Sequence, residues 1–187
     1  GERINFKITD KKDYELARKI YEKETNMDIV KVGHGFDVHA LKPGKKLIIL
    51  GVKIPYSKGL IGHSDADVGF HALVDAILGA LGMGDIGEHF PPSDIKWKNK
   101  SSKHFLKYAK DLLSKENYKI NNVDITIICE KPKLTKYKKI MKKSVAETLN
   151  LNSEKVNVKA TTTERLGFLG REEGIACQSS ICISKND

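Results

Sequence analysis

At 187 residues, 40% hydrophobic and 30% charged, the chain has the size and make-up of one ordinary globular domain, which excludes a fibrous or low-complexity protein. Its formal charge of +9 is local: residues 96–143 carry 15 lysines against Asp111, Glu116, Asp124 and Glu130, whereas residues 1–29 balance seven basic with seven acidic side chains. No apolar run approaches the roughly 20 residues that a bilayer span needs, and Gly1 to Asp10 lacks the layout of a secretory signal, so no membrane partner is expected.

In chain order, Asp10 to Thr25 reads as a short, charged helix with too few apolar residues for a core. Residues 1–29 are therefore expected to be an N-terminal appendage and 30–187 the main folded domain. From Ile29 the pattern turns strand-like through Val30 and Val32 to His39, and Leu47 to Leu50 follows the Lys42-Pro43-Gly44 turn as a second strand. Asp65 to Leu81 has helical spacing, with Asp65 as a candidate cap and Gly84 to Gly87 as a candidate stop. Ser101 to Lys115 is a second helix, capped by Ser101 or Ser102. Val123 to Cys129 alternates as a strand, and Pro132 breaks the pattern before a third helix ending at Leu149. Val156 to Thr161 and Ile175 to Ile183 are strands around a polar loop. The order ββααβαββ predicts an α+β fold, a single-domain mixed β-sheet with helices packed on one face. Cys129, Cys177 and Cys182 have no zinc-cluster spacing and read as free buried thiols, with a Cys177–Cys182 pair as the open alternative.

Chemistry concentrates in three places. Asp37 and His39 stand two residues apart on a strand, so both side chains share a face, and their oxygen and nitrogen atoms suit zinc. A third ligand is available from the histidines of the His63 to His71 stretch. His71 is preferred because it lies in the helix, where Asp67 and Asp75, four residues to either side, are candidates to orient its ring. Thr161-Thr162-Thr163-Glu164 directly follows a strand; its hydroxyls and free amides suit phosphate oxygens, and its carboxylate a hard cation such as Mg²⁺.

Together, Gly33-His34-Gly35-Phe36-Asp37-Val38-His39, His63-Ser64-Asp65-Ala66-Asp67-Val68 through His71-Ala72-Leu73, Gly84-Asp85-Ile86-Gly87, and Val158 to Glu164 followed by Gly167-Phe168-Leu169-Gly170-Arg171 resemble the 2-C-methyl-D-erythritol 2,4-cyclodiphosphate synthase family over about residues 30–184. The resemblance implies a lyase of the non-mevalonate isoprenoid pathway. Such an enzyme converts 4-diphosphocytidyl-2-C-methyl-D-erythritol 2-phosphate into the 2,4-cyclodiphosphate and CMP. It implies a homotrimer with sites between subunits, Zn²⁺ on Asp37, His39 and His71, and Mg²⁺ or Mn²⁺ near Glu164. His63 and Thr162 would stabilise the transferring phosphoryl group, and Asp85, Ile86 and Gly87 would contact the erythritol. Ser64, Thr161 and Thr163 join the expected substrate-binding set, as do Phe90 and Asp94 in the Phe90-Pro91-Pro92-Ser93-Asp94 loop. Cys129, Pro132, Lys133, Leu134 and Thr135 would form the cytidine pocket. Phe36, Phe168 and Arg171 match positions around the trimer axis, where an isoprenoid diphosphate could bind. Two departures stand out: Pro92 replaces a usual aspartate, and Gln178 a frequent glutamate.

Two other classes compete. A metal-dependent phosphohydrolase would use the same ligands with water as nucleophile, and a basic nucleic-acid-binding module would explain the charge without catalysis. Against nucleic acid as a partner, 29 of the 33 basic residues are lysine and no aromatic-rich or zinc-finger motif accompanies them. The family occurs in bacterial cytoplasm and in plastids; the appendage favours a plastid-type organelle.

Overall fold

The computed structural model describes residues 7–25, 30–97 and 100–186. Its centre is a five-stranded sheet in the order β4-β1-β7-β5-β6, formed by β1 (Val30–Pro43), β4 (Lys58–Leu60), β5 (Tyr118–Ile128), β6 (Val156–Thr161) and β7 (Gly174–Lys185). All neighbours are antiparallel except β5 and β6. The helix α5 (Lys138–Leu149) connects that parallel pair, as a parallel crossover requires. A small separate hairpin joins β2 (Leu47–Ile49) to β3 (Val52–Ile54). The expected strand start at Ile29 lies outside the described residues. β3 and β4 were not anticipated, because three residues are too few to display an alternating pattern.

The helices form close to where apolar spacing puts them. α1 (Lys11–Thr25) begins after Asp10, whose carboxylate accepts from the Lys12 and Asp13 amides. α2 (Val68–Leu81) starts three residues later than expected: Asp67, not Asp65, is its cap, accepting from the Gly69 and Phe70 amides at 3.1 Å each. The helix ends on Gly82 at φ 71°, so the Gly84–Gly87 turn is not its stop. There Asp85 caps a new short helix, α3 (Ile86–His89). α4 (Ser102–Lys115) is capped by Ser101 as expected, and the polar loop before β7 holds a further short helix, α6 (Gly167–Gly170).

The sheet is covered on one face. α2 packs on β1 and β7, α4 on α2, and α5 on β6, enclosing Leu73, Ile77, Leu106, Ile125, Ile127 and Met141. Along β1, Gly33 and Gly35 face α2, and a methyl group at either would collide with the Ala76 or Ala72 carbonyl oxygen, so helix and strand touch backbone to backbone. The opposite face carries Val30, Val32, Phe36 and Val38, all exposed in the single chain. Cys129, Cys177 and Cys182 are free, so the Cys177–Cys182 pairing is not adopted. Burial, reinforced by Glu130, pushes the Cys129 thiol up to about 11, which leaves it protonated and unreactive near neutral pH.

The close contact predicts that Gly35→Ala lowers stability by about 1–3 kcal/mol through overpacking. Urea unfolding should show the shift, whereas Gly79→Ala, whose added methyl meets only the His34 carbonyl at 3.7 Å, should leave the midpoint unchanged or raised.

Candidate metal centre and substrate cleft

Asp37 and His39 project from one face of β1 towards α2, which brings His71 in from one turn past its cap. Three atoms converge: Asp37 Oδ2 lies 3.0 Å from His39 Nε2 and 3.1 Å from His71 Nδ1, and the two nitrogens are 3.0 Å apart. Burial alone would raise the Asp37 carboxyl, but the hydrogen bonds and charges of His39 and His71 outweigh it and hold the group well below the usual carboxylate range. Protons satisfy such a triangle poorly, since each imidazole nitrogen faces both the other ring and the same oxygen. One cation satisfies all three. Ligands about 2.0–2.1 Å from a tetrahedral zinc are about 3.3 Å apart, close to the spacing here, and three protein ligands leave a fourth position open. Asp37, His39 and His71 are the group of this kind among the described residues.

The orientation of His71 has a source other than the one expected from spacing. Neither Asp67 nor Asp75 holds its ring. Asp67 is fully buried and engaged with backbone amides, which besides its own helix include Leu50 at 2.8 Å and Gly51 at 2.6 Å. Instead, His71 Nε2 lies 2.9 Å from Ser102 Oγ and 3.0 Å from Ser64 Oγ. Ser102 donates its hydroxyl to Asp65 Oδ1, which also accepts the Ser102 amide at 3.0 Å. With that proton committed to Asp65, Ser102 Oγ accepts from His71 Nε2–H, and the Nδ1 lone pair is left pointing at the metal position. Asp65 and Ser102 are thus site residues that the sequence offered only as caps; 37 positions separate them, and no local spacing links them.

A cleft of about 330 Å³ opens beside the triad, lined in part by His63, Ser64, Ile86, Gly87 and Phe90. His63, Ser64, Ile86, Gly87 and Phe90 of the expected set thus share this cleft, whereas Asp85 is not among its lining residues and its carboxylate caps α3 by accepting the Glu88 amide at 3.0 Å. Phe90 packs against Phe105 at 4.4 Å between ring centroids and meets Trp97 edge-on at 5.0 Å, forming an apolar wall. Asp75 accepts the Ile86 amide at 2.8 Å and so anchors the Asp85–Gly87 turn from α2. Pro92 also lines the cleft, whereas Asp94 is not among its lining residues and is paired with Lys96.

The remaining expected residues lie elsewhere in the same chain. The register row Val38–Ala176–Ile128–Thr161 crosses the sheet, so the Thr161–Glu164 turn stands three strand spacings, about 14 Å, from the ligand strand. Thr162 donates to Glu164 Oε1 at 2.8 Å, and both are exposed. Pro132, Lys133 and Thr135 line a second pocket of about 420 Å³ with Pro55, Lys136 and Tyr137, sharing no residue with the first. Cys129 and Leu134 are buried. Phe168 is half exposed, and Arg171 forms a two-pronged pair with Glu173 at 2.7 and 3.3 Å.

An α+β domain that opens a two-histidine, one-aspartate centre into a partly apolar cleft has the build of a metal-centred catalytic domain. The chain belongs to the YgbB family, whose pattern matches residues 30–184. It is 54% identical to a 2-C-methyl-D-erythritol 2,4-cyclodiphosphate synthase of Roseobacter denitrificans, over 84% of this chain and 98% of the relative. It is 48% identical to a bifunctional enzyme IspD/IspF of Dinoroseobacter shibae, over 98% of this chain but only 46% of the relative. The chain thus spans about half the length of the bifunctional relatives it matches. Among solved structures, a Plasmodium falciparum IspF in complex with CDP superimposes with a TM-score of 0.75 at 37% identity, covering 84% of this chain and 97% of that one. Among the described residues, no helix is long and apolar enough to cross a membrane.

The relay to His71 predicts that Ser102→Ala, which keeps every ligand, weakens zinc binding by about 10–100-fold. Competition against a chromophoric chelator measures the affinity directly, without an activity assay.

Proposed function

We propose that this chain closes 4-diphosphocytidyl-2-C-methyl-D-erythritol 2-phosphate into 2-C-methyl-D-erythritol 2,4-cyclodiphosphate and releases CMP. The observation that carries the reading is the Asp37–His39–His71 triangle beside a cleft lined by His63, Ile86 and Gly87. Membership of the YgbB family and the likeness to a CDP complex support it.

The nucleophile is the substrate's own 2-phosphate, which is already anionic near neutral pH because the second pKa of a phosphate monoester is about 6. No side chain has to remove a proton from it. Held at the triad, Zn²⁺ would supply Lewis acidity to the diphosphate, as would Mg²⁺ or Mn²⁺ near Glu164. The chain's residues position and neutralise: His63 and Thr162 hold the oxygens of the phosphoryl group being attacked, the Asp85–Gly87 turn orients the erythritol, and the Pro132–Thr135 stretch grips the cytosine end until CMP leaves. Because attack is intramolecular, fixing the two phosphates in line supplies a large part of the acceleration.

The reading includes the homotrimer that the family resemblance implies. Within one chain the triad cleft and the Pro132–Thr135 pocket share no lining residue, and in this reading a neighbour's nucleotide half completes the site. The bare β1 face with Val30, Val32, Phe36 and Val38 offers the apolar surface for such packing. Phe36, Phe168 and Arg171 would then line an axial cavity for an isoprenoid diphosphate, with Glu173 competing for Arg171. We take residues 30–187 as the catalytic domain. The alignment with the bifunctional relative above extends over 98% of this chain and that with the synthase over 84%. Both of those relatives are bacterial, which favours the bacterial alternative over a plastid-type organelle.

Run in ¹⁸O-labelled water, turnover should give CMP and cyclic diphosphate without label; label in a linear product would make water the nucleophile and the protein a hydrolase. Mixing Lys133→Ala with His39→Ala subunits should restore activity in exchanged oligomers, since some interfaces then combine an intact nucleotide half with an intact metal half. No recovery despite verified exchange would refute the shared site.

A further inference from the structure

Glu130 has no part in the reading above, yet it directly precedes the Lys131–Thr135 stretch and its side chain holds the turn that follows β6. It follows Cys129, whose amide donates to Thr161 O at 3.0 Å as β5 and β6 end. Beyond that bond the Glu130 side chain reaches from the end of β5 to the turn after β6. Its Oε1 accepts the Thr163 amide at 2.9 Å, the Thr163 hydroxyl at 3.2 Å and the Arg165 amide at 3.2 Å. These two amides flank Glu164, and Glu164 and Arg165 stand in the left-handed region at φ 53° and 65°. Two successive non-glycine residues in that region need outside support to persist. One carboxylate oxygen thus holds the turn that presents Thr162 and Glu164, and it does so from the residue immediately before the Lys131–Thr135 stretch.

We propose that Glu130 is a positioning residue that clamps the Thr162–Glu164 turn to the nucleotide-binding stretch, so that grip on the cytidine diphosphate end and placement of the phosphoryl-holding groups are set together. This rests on the cyclase reading for its catalytic consequence, but the clamp itself is a property of the folded chain. The acceptor geometry is what matters: a glutamine at this position keeps an Oε1 acceptor for both amides, and an alanine keeps none.

The test uses the zinc-loaded, full chain as wild type, Glu130→Ala and Glu130→Gln, with two readouts. Amide hydrogen exchange at Thr163 and Arg165 reports the clamp without any substrate. It should accelerate in Glu130→Ala and be restored towards wild type in Glu130→Gln. Steady-state kinetics with the cytidyl substrate report the consequence. Glu130→Ala should lose about a hundredfold in kcat, the scale expected when reacting groups are misplaced by about 1 Å, with weaker CDP binding, while zinc content stays stoichiometric and Glu130→Gln recovers most of both losses. Wild-type exchange at Thr163 and Arg165 in Glu130→Ala would overturn the proposal. So would kinetics of Glu130→Ala within about threefold of an active wild type, or a Glu130→Gln variant as impaired as the alanine. A wild type that makes no cyclic product would instead sink the cyclase reading, and the exchange data would still decide the clamp.

Discussion

Everything at the metal centre depends on how closely α2 lies against β1. The three ligands come from two elements, and their atoms converge to about 3 Å only because Gly33 and Gly35 present bare backbone to a helix face made of Ala72, Ala76 and Ala80. Any side chain at that seam would lift the helix and move His71 away from Asp37 and His39. Asp67 sets the other coordinate. By binding the first amides of α2 and those of Leu50 and Gly51 together, it fixes where the helix begins relative to the β2–β3 turn, and hence which residue stands one turn along. Glycine contact sets the separation; the buried carboxylate sets the axial position.

A second consequence of the architecture is division of labour across the sheet. β1 at one side brings the metal ligands and β6 at the far edge brings the threonine turn, and the antiparallel β7 and β5 keep them apart. Side chains cannot bridge about 14 Å of sheet. The uncovered apolar face of β1 and the separation of the two pockets are therefore two aspects of one strand order.

Much of this was legible in the sequence. Strand period placed Asp37 and His39 on one face, helical period placed His71 on a helix, and the long helices and strands fell within a few residues of their observed bounds. What could not be read has physical causes. The cap of α2 was misassigned because Asp65 and Asp67 are equally good caps in isolation; only the approach of Leu50 and Gly51 distinguishes them. Ser102 and Asp65 escaped notice as partners of His71, since their meeting depends on α4 docking against α2. In the sequence Glu130 is one negative charge in a basic stretch, and nothing local links it to Thr163 of the Thr161–Glu164 turn, 33 positions away. Pattern reports which face a residue takes, and tertiary contact decides whom it meets there.

The relay from Asp65 through Ser102 to His71 has a further consequence for how the protein matures. Residues 33–39 contain two of the three ligands and residues 63–71 the third, while the hydroxyl that aims His71 arrives from residue 102. No short peptide cut from this chain carries the triangle, so an unfolded chain has at most scattered, weak metal ligands. Closing loops of such length precedes any reward from the ion. An ion captured at the triad would then arrive late in folding, and its binding would report that sheet, α2 and α4 have already come together.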